Sequence, residues 1–190
     1  MQTQTFDIPG PVLLTPRRFA DARGWFAESW NADRFDAAIG EAVRFVQDNR
    51  SHSARPGTVR GLHYQSPPHA QGKLIDVIRG AVMDVCVDAR RGSPSYGRHV
   101  RTRLDAATGQ QLWVPAGFLH GFATLEPDTV VSYKVTDRYA PDCEGTVAFD
   151  DPELAIDWGV GGQEISLSDK DRDGIAFADW TSPFTFGDTE

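Results

Sequence analysis

The segment Arg60 to Gln65, Arg-Gly-Leu-His-Tyr-Gln, puts one histidine beside an arginine, a tyrosine and a glutamine. Three roles are open to His63: metal ligand, proton-transfer base, or polar residue at a strand end. Chelation from a strand calls for ligands two apart, because alternate side chains project to the same side. Here the second position is Gln65, so the spacing argues against a tightly held metal. Proton transfer requires a histidine titrating near neutrality, a carboxylate to orient its ring and a cation to hold a developing oxyanion. The chain contains all of these, but for His63 taken alone a strand histidine hydrogen-bonded in a core is the commoner case.

The elements that must position these groups are short strands. Runs of β-formers occur at Val12–Leu14, Trp25–Trp30, Val43–Gln47, Thr58–Tyr64, Lys73–Ile78, Ala81–Asp88, His99–Leu104, Gln111–Val114, Gly121–Leu125 and Thr129–Val135, with Gly, Pro, Asn and Asp between them. One helix is predicted over Ala32–Ile39, capped by Asn31 and ended by Gly40, with Phe35 and Ile39 on one face. Closely spaced strands favour an antiparallel sandwich or jelly roll over an alternating βαβ fold, so the class is all-β. Pro115, Gly117 and His120 form P-x-G-x-x-H, which resembles the second motif of the cupins and supports a cupin-like antiparallel β jelly roll with a few short helices.

Alternation gives the strands two faces. In Ala81–Asp88, Met83, Val85 and Val87 oppose Val82, Asp84, Cys86 and Asp88, so Asp84 points into an otherwise apolar layer and needs a partner, for which His120 is the candidate. In Thr129–Val135, Val131, Tyr133 and Val135 share a side, carrying the Tyr133 phenol inward. Strict parity would set Arg60 and His63 on opposite faces, so both line one site only if Gly61 bends the strand or carries a bulge. The last fifth of the chain is acidic and irregular, and reads as ordered loops wrapping the barrel, anchored by Trp158 and Trp180 and frayed from Gly187 to Glu190.

Composition narrows the classes further. With 190 residues, one domain is expected, with a core over about residues 11–160 and a wrapping segment over about 161–186. A formal charge of −8 opposes a nucleic-acid surface, though a local arginine cluster could still hold a diphosphate. No apolar run approaches the roughly 20 residues of a membrane span, and the N-terminus lacks a basic start followed by an apolar block, so a cytoplasmic site is expected. Cys86 and Cys143 form no CxxC pair and read as buried thiols.

The ordered blocks DARGWFAES, FVQDN, VRGLHYQSPPHAQGKL, GSPSYG, LWVPAGFLHGF, VVSYKVTDRYAPDCEG and LSDKDRDG, from residue 21 to about 174, closely resemble the dTDP-4-dehydrorhamnose 3,5-epimerase family. The resemblance implies inversion of C3 and C5 of the sugar in dTDP-4-dehydro-6-deoxy-D-glucose, giving dTDP-4-dehydro-L-rhamnose, with no metal or organic cofactor. It further implies His63 as base, Asp171 as its paired carboxylate, Lys73 as the cation facing the C4 oxygen and Tyr133 as the acid on the opposite face of the ring. By the same likeness Arg23 and Arg60 contact the diphosphate, and Glu28, Gln47 and Asn49 meet the nucleotide. Tyr139 stacks on thymine, and His120, Glu144 and Lys170 add further substrate contacts. Without the resemblance, Asp171 reads as an exposed turn aspartate, Lys73 as a surface lysine, Tyr133 as a core tyrosine and Arg23 and Arg60 as solvated arginines. A homodimer is implied, its N-terminal strands contributing to the partner's sheet. The rival readings are an epimerase acting at C3 or C5 alone, a metal-dependent cupin, and a non-catalytic nucleotide-sugar binding protein.

Overall fold

A computed structural model describes residues 1–187. The chain is built from two stacked antiparallel sheets and a separate hairpin. The first sheet has six strands in the order β1 (Gln2–Thr5), β2 (Val12–Thr15), β10 (Gln111–Val114), β7 (Lys73–Arg79), β12 (Thr129–Val135) and β5 (Gln47–Ser53). The second has five, β13 (Glu144–Thr146), β6 (Val59–Gln65), β11 (Phe118–Thr124), β8 (Ala81–Asp88) and β9 (His99–Asp105). The remaining two strands, β3 (Arg18–Asp21) and β4 (Gly24–Ala27), pair with each other.

Between the sheets, Ile75, Val77, Leu112, Val114 and Val131 of the first pack on Val82, Cys86, Val100, Leu104, Phe118 and Phe122 of the second. Burying each such side chain contributes about 1.5–3 kcal/mol, which makes this apolar slab the fixed floor of whatever occupies the rest of the interior. The parity read from β8 holds: Val82 and Cys86 face this slab, while Val85 and Val87 face the opposite layer. That layer is formed by the C-terminal segment, whose Trp158, Val160, Phe177, Trp180 and Phe184 cover the outer face of the second sheet. Trp158 and Trp180 anchor it, both buried in the one apolar cluster that also holds Val59, Leu62 and Leu119.

Helix α1 (Ala32–Ile39) forms where expected, with Asn31 Oδ1 accepting from the Arg34 backbone N–H and Gly40 closing it at φ +86°. Its Phe35 is fully buried and meets Trp113 edge-on at 5.4 Å, pinning the helix to the outer face of the first sheet. The strand expected over Val43–Gln47 is displaced, beginning only at Gln47 and running to Ser53. Val43 and Phe45 pack instead beside Phe35 and Trp113. The true strand, Gln-Asp-Asn-Arg-Ser-His-Ser, has no apolar face to reveal it. Likewise β1, β3 and β13 are too short and polar to register as patterned strands. Cys86 is buried, as expected, whereas Cys143 is only partly so. Of the residues expected to fray, Asp188 to Glu190 lie outside the described ones.

Candidate active site

At one end of the sandwich the interior layer turns from apolar to polar. Register determines which polar groups meet there, because directly paired residues on neighbouring strands share a face. On the first sheet, Lys73 pairs with Val135, which pairs with Gln47; one step along, Ile75 pairs with Tyr133, which pairs with Asn49. Lys73 and Tyr133 are therefore diagonal neighbours on the inner face. On the second sheet, Thr146 pairs with His63, His63 with His120, and Glu144 with Gln65.

His63 and Arg60 reach the same interior because the β6–β11 register shifts by one residue between the His120–His63 and Phe122–Arg60 pairs. The bulge falls at Gly61, whose φ of +123° excludes most side chains. A Cβ there would lie 2.6 Å from Gly121 Cα and 2.7 Å from the His120 carbonyl oxygen, so the backbones are too close for any residue but glycine. The bend foreseen at this position is present.

A cavity of about 270 Å³ is lined by Gln47, Asn49, His63, Gln65, Lys73, Tyr133, Tyr139 and Glu144, with Tyr64 and Gln71. A wider groove of about 800 Å³, between the end of α1 and the C-terminal segment, contains no histidine, lysine or tyrosine among the described residues of its lining.

His63 Nε2 lies 2.5 Å from Asp171 Oδ1, across 108 residues of sequence. Asp171 comes from a one-turn helix, α2 (Asp169–Arg172), and is 4% exposed, not the solvated turn aspartate that its charged surroundings suggest. The Gly61 N–H (3.1 Å) and Ser168 Oγ–H (2.6 Å) also donate to its carboxylate. Burial alone would raise the Asp171 pKa, but these donors and His63 hold it down to about 2. Burial in turn draws His63 below the ordinary imidazole range, against the opposing pull of Asp171. A neutral imidazole beside an ionised carboxylate carries its proton on Nε2 and donates it to Asp171, leaving Nδ1 with a free lone pair. Ser168, which caps α2 and orients the carboxylate, was not singled out from sequence, although Ser-x-x-Asp is a helix-start signature.

Across the cavity, burial pulls the Lys73 pKa down to about 8, with Glu144 and Asp84 opposing the fall, so the ammonium persists at neutral pH. Tyr133 is shifted the other way, upward by burial and only partly back by Arg60, so its phenol keeps its proton. Asp84 is fully buried and meets His120 Nε2 at 2.9 and 3.1 Å, the partner expected for it. Arg60 is anchored to Ser53 Oγ and the His52 carbonyl.

At the rim, Tyr139 donates from its hydroxyl to Glu144 Oε2 (2.9 Å) and from its backbone N–H to Gln47 Oε1 (3.1 Å), while Lys170 pairs with the other Glu144 oxygen. Gln47 also donates to Asn49 (2.8 Å). Of the residues expected at the site, Asp171, Arg60, His120, Lys170, Arg23 and Glu28 do not line this cavity; Asp171, His120 and Lys170 neighbour residues that do, while Arg23 and Glu28 are engaged elsewhere. Arg23, at the tip of the β3–β4 hairpin, is 89% exposed and pairs with Asp21. Glu28 engages Arg34 and Asn31. Of the histidines expected at the surface, His52 and His69 are exposed and paired with Asp128 and Asp137, whereas His99 is half-buried.

A neutral imidazole on one sheet, a phenol on the other and an ammonium beside the phenol define a site for moving protons at carbons next to a carbonyl, in a jelly-roll sandwich. A family model described as dTDP-4-dehydrorhamnose 3,5-epimerase matches residues 5–179. The chain is 50% identical over 179 residues to the dTDP-4-dehydrorhamnose 3,5-epimerase of Pseudomonas aeruginosa, covering 94% of this chain and 97% of that one. It is 40% identical over 179 residues to a dTDP-4-dehydrorhamnose 3-epimerase of Streptomyces niveus, covering 94% and 85%. The crystal structure of a dTDP-6-deoxy-D-glucose-3,5-epimerase from Legionella pneumophila in complex with dTDP-4-keto-L-rhamnose superposes with a TM-score of 0.88 at 42% identity, over 92% of each chain. The chain belongs to the dTDP-4-dehydrorhamnose 3,5-epimerase family.

Proposed function

We propose that the protein converts dTDP-4-dehydro-6-deoxy-D-glucose into dTDP-4-dehydro-L-rhamnose by inverting C3 and C5. The observation that carries this reading is the opposition of His63, backed by Asp171, to Tyr133 and Lys73 across one cavity. His63 Nδ1 removes the proton from a carbon beside the ketone, and the electron pair moves into an enolate whose oxygen the Lys73 ammonium stabilises. The Tyr133 phenol then delivers a proton to the opposite face of that carbon and is reprotonated from solvent, while the His63 imidazolium releases the captured proton to solvent. Repetition at the second carbon completes the double inversion. No metal or organic cofactor takes part in this scheme.

Arg60 grips the diphosphate, for which a planar guanidinium fork suits the oxygens. Gln47, Asn49 and Tyr139 receive the nucleotide, and His120, Glu144 and Lys170 complete the sugar contacts. Arg23 and Glu28 serve the cavity of a second copy. Supporting this homodimer, the β3–β4 hairpin exposes Phe19, Trp25 and Phe26, the last by 71%, an apolar surface that a partner would cover. In this chain β1 pairs with its own β2, so the hairpin is the better candidate for the element that crosses. The catalytic unit is one domain, and its site of action is the cytoplasm. Among the described residues no helix is long and apolar enough to cross a membrane.

The Streptomyces niveus relative favours a second reading, inversion of C3 alone. Incubation with dTDP-4-dehydro-6-deoxyglucose in D₂O, trapping with a 4-keto reductase and NMR of the ring separates the two. Deuterium at both C3 and C5 supports the double epimerase, and deuterium at one carbon the single one. Deuterium at neither carbon, with dTDP still bound, refutes an epimerase of this substrate in favour of a binding protein.

A further inference from the structure

Gln65 occupies the position where a metal-chelating strand would carry its second histidine, and its side chain is fully committed elsewhere. It is 5% exposed, faces the interior two residues after His63, and lines the cavity. Its Nε2 donates to the carbonyls of His69 (2.7 Å) and Arg138 (3.1 Å), and its Oε1 accepts from the Ala140 N–H (2.9 Å). The residue between those last two contacts is Tyr139, whose own N–H is held by Gln47. Three consecutive residues of the rim are thus tied down by two glutamine amides. Tyr139 itself is 55% exposed, and its ring is fixed at the tip by Glu144.

We infer that Gln65 is a positioning residue for nucleotide binding, holding the 138–140 backbone so that the Tyr139 ring stands ready as a platform for the base. The inference rests on reading the protein as a dTDP-sugar epimerase with Tyr139 at the thymine. Only a carboxamide supplies two donors and an acceptor at this point. A glutamate would turn a carboxylate oxygen toward two carbonyls, and a methionine would leave two carbonyls and one N–H without partners. A loop carrying an exposed ring must be ordered on binding unless it is ordered beforehand, and that cost falls on affinity, not on chemistry at the sugar.

The test is titration of dTDP by calorimetry into the wild type, Q65M, Q65E, Y139A and Q65M/Y139A, with KM and kcat measured alongside. Q65M should weaken dTDP about tenfold and raise KM by a similar factor, with a much smaller change in kcat. Q65E should do the same, and Q65M should have no added effect in the Y139A background. Amide hydrogen exchange should quicken at residues 138–140 of Q65M while β6 and β11 stay protected, which separates a loosened rim from a lost fold. Unchanged dTDP affinity in Q65M, an equal loss in both backgrounds, or a fall in kcat without a rise in KM overturns the inference. If Y139A alone binds dTDP as the wild type does, the thymine reading of Tyr139 fails and takes the inference with it. If Y139A weakens binding and Q65M does not, only the role of Gln65 falls.

Discussion

Replacing Asp171 by asparagine keeps the shape of the site and removes one charge. The amide oxygen of asparagine can still accept from His63 Nε2 and the Gly61 N–H, which now reach Asp171 Oδ1 at 2.5 and 3.1 Å. In the proposed mechanism, what disappears is the carboxylate that stabilises the imidazolium formed as His63 takes the substrate proton. At an effective dielectric of about 20 and a charge separation of about 4 Å, that attraction is on the order of 4 kcal/mol. Part of it already serves the resting state, where the carboxylate accepts a hydrogen bond from neutral imidazole, so a loss of about 3–4 kcal/mol in the transition state is the better figure. This corresponds to a fall in kcat of roughly 10²–10³-fold. Asp171 also raises the His63 pKa against burial, so the variant should shift the acid limb of kcat/KM to lower pH. The assay is deuterium incorporation in D₂O followed by NMR, with product formation coupled to a 4-keto reductase and thermal unfolding as a control. A D171N protein that unfolds near the wild-type temperature and retains more than about a tenth of wild-type kcat would refute the dyad.

Because His63 must be neutral to accept a proton and Lys73 must be charged to hold the enolate, kcat/KM should rise with pH through a value below the usual histidine range and fall again near pH 8. In K73M the alkaline limb should disappear and kcat should drop roughly 10²–10³-fold; an unchanged limb in a steady-state pH profile would assign it to another group. G61A forces a Cβ to within 2.6 Å of Gly121 Cα at a positive φ, so thermal unfolding should show a loss of about 2–4 kcal/mol, with kcat lowered as His63 is displaced. Mixing R23A with H63N, each inactive alone, should restore activity toward a quarter of wild type if subunits exchange at random and the hairpin crosses a two-fold interface. If native mass spectrometry shows exchanged dimers and activity stays at background, Arg23 does not serve the partner's cavity.

Much of the site could be read before any fold was known, for physical reasons that differ from residue to residue. Strand alternation has a period of two, so the inward direction of Asp84 and Tyr133 follows from their neighbours alone. Helix α1 announces itself through Asn31, Phe35 and Gly40 because caps and helical faces are local. The need for a bend at Gly61 followed from a conflict between parity and the single site to which the resemblance assigns Arg60 and His63. By contrast β5 is polar on both faces, since one face lines the cavity and the other meets solvent, and no hydrophobic pattern marks it.

The order of blocks along the chain by itself pointed to the family and supplied candidate residues for its site, because the spacing of motifs is a property of the chain. Tertiary structure alone decided that Asp171 is buried against His63, that Gln65 brackets Tyr139, and that Arg23 lies outside the cavity of its own chain. Each of these is set by which surfaces of distant segments come to lie together. His63 and Asp171 meet because α2 docks beside a bulged strand, and a charged tetrapeptide carries no local mark of the surface it will be pressed against.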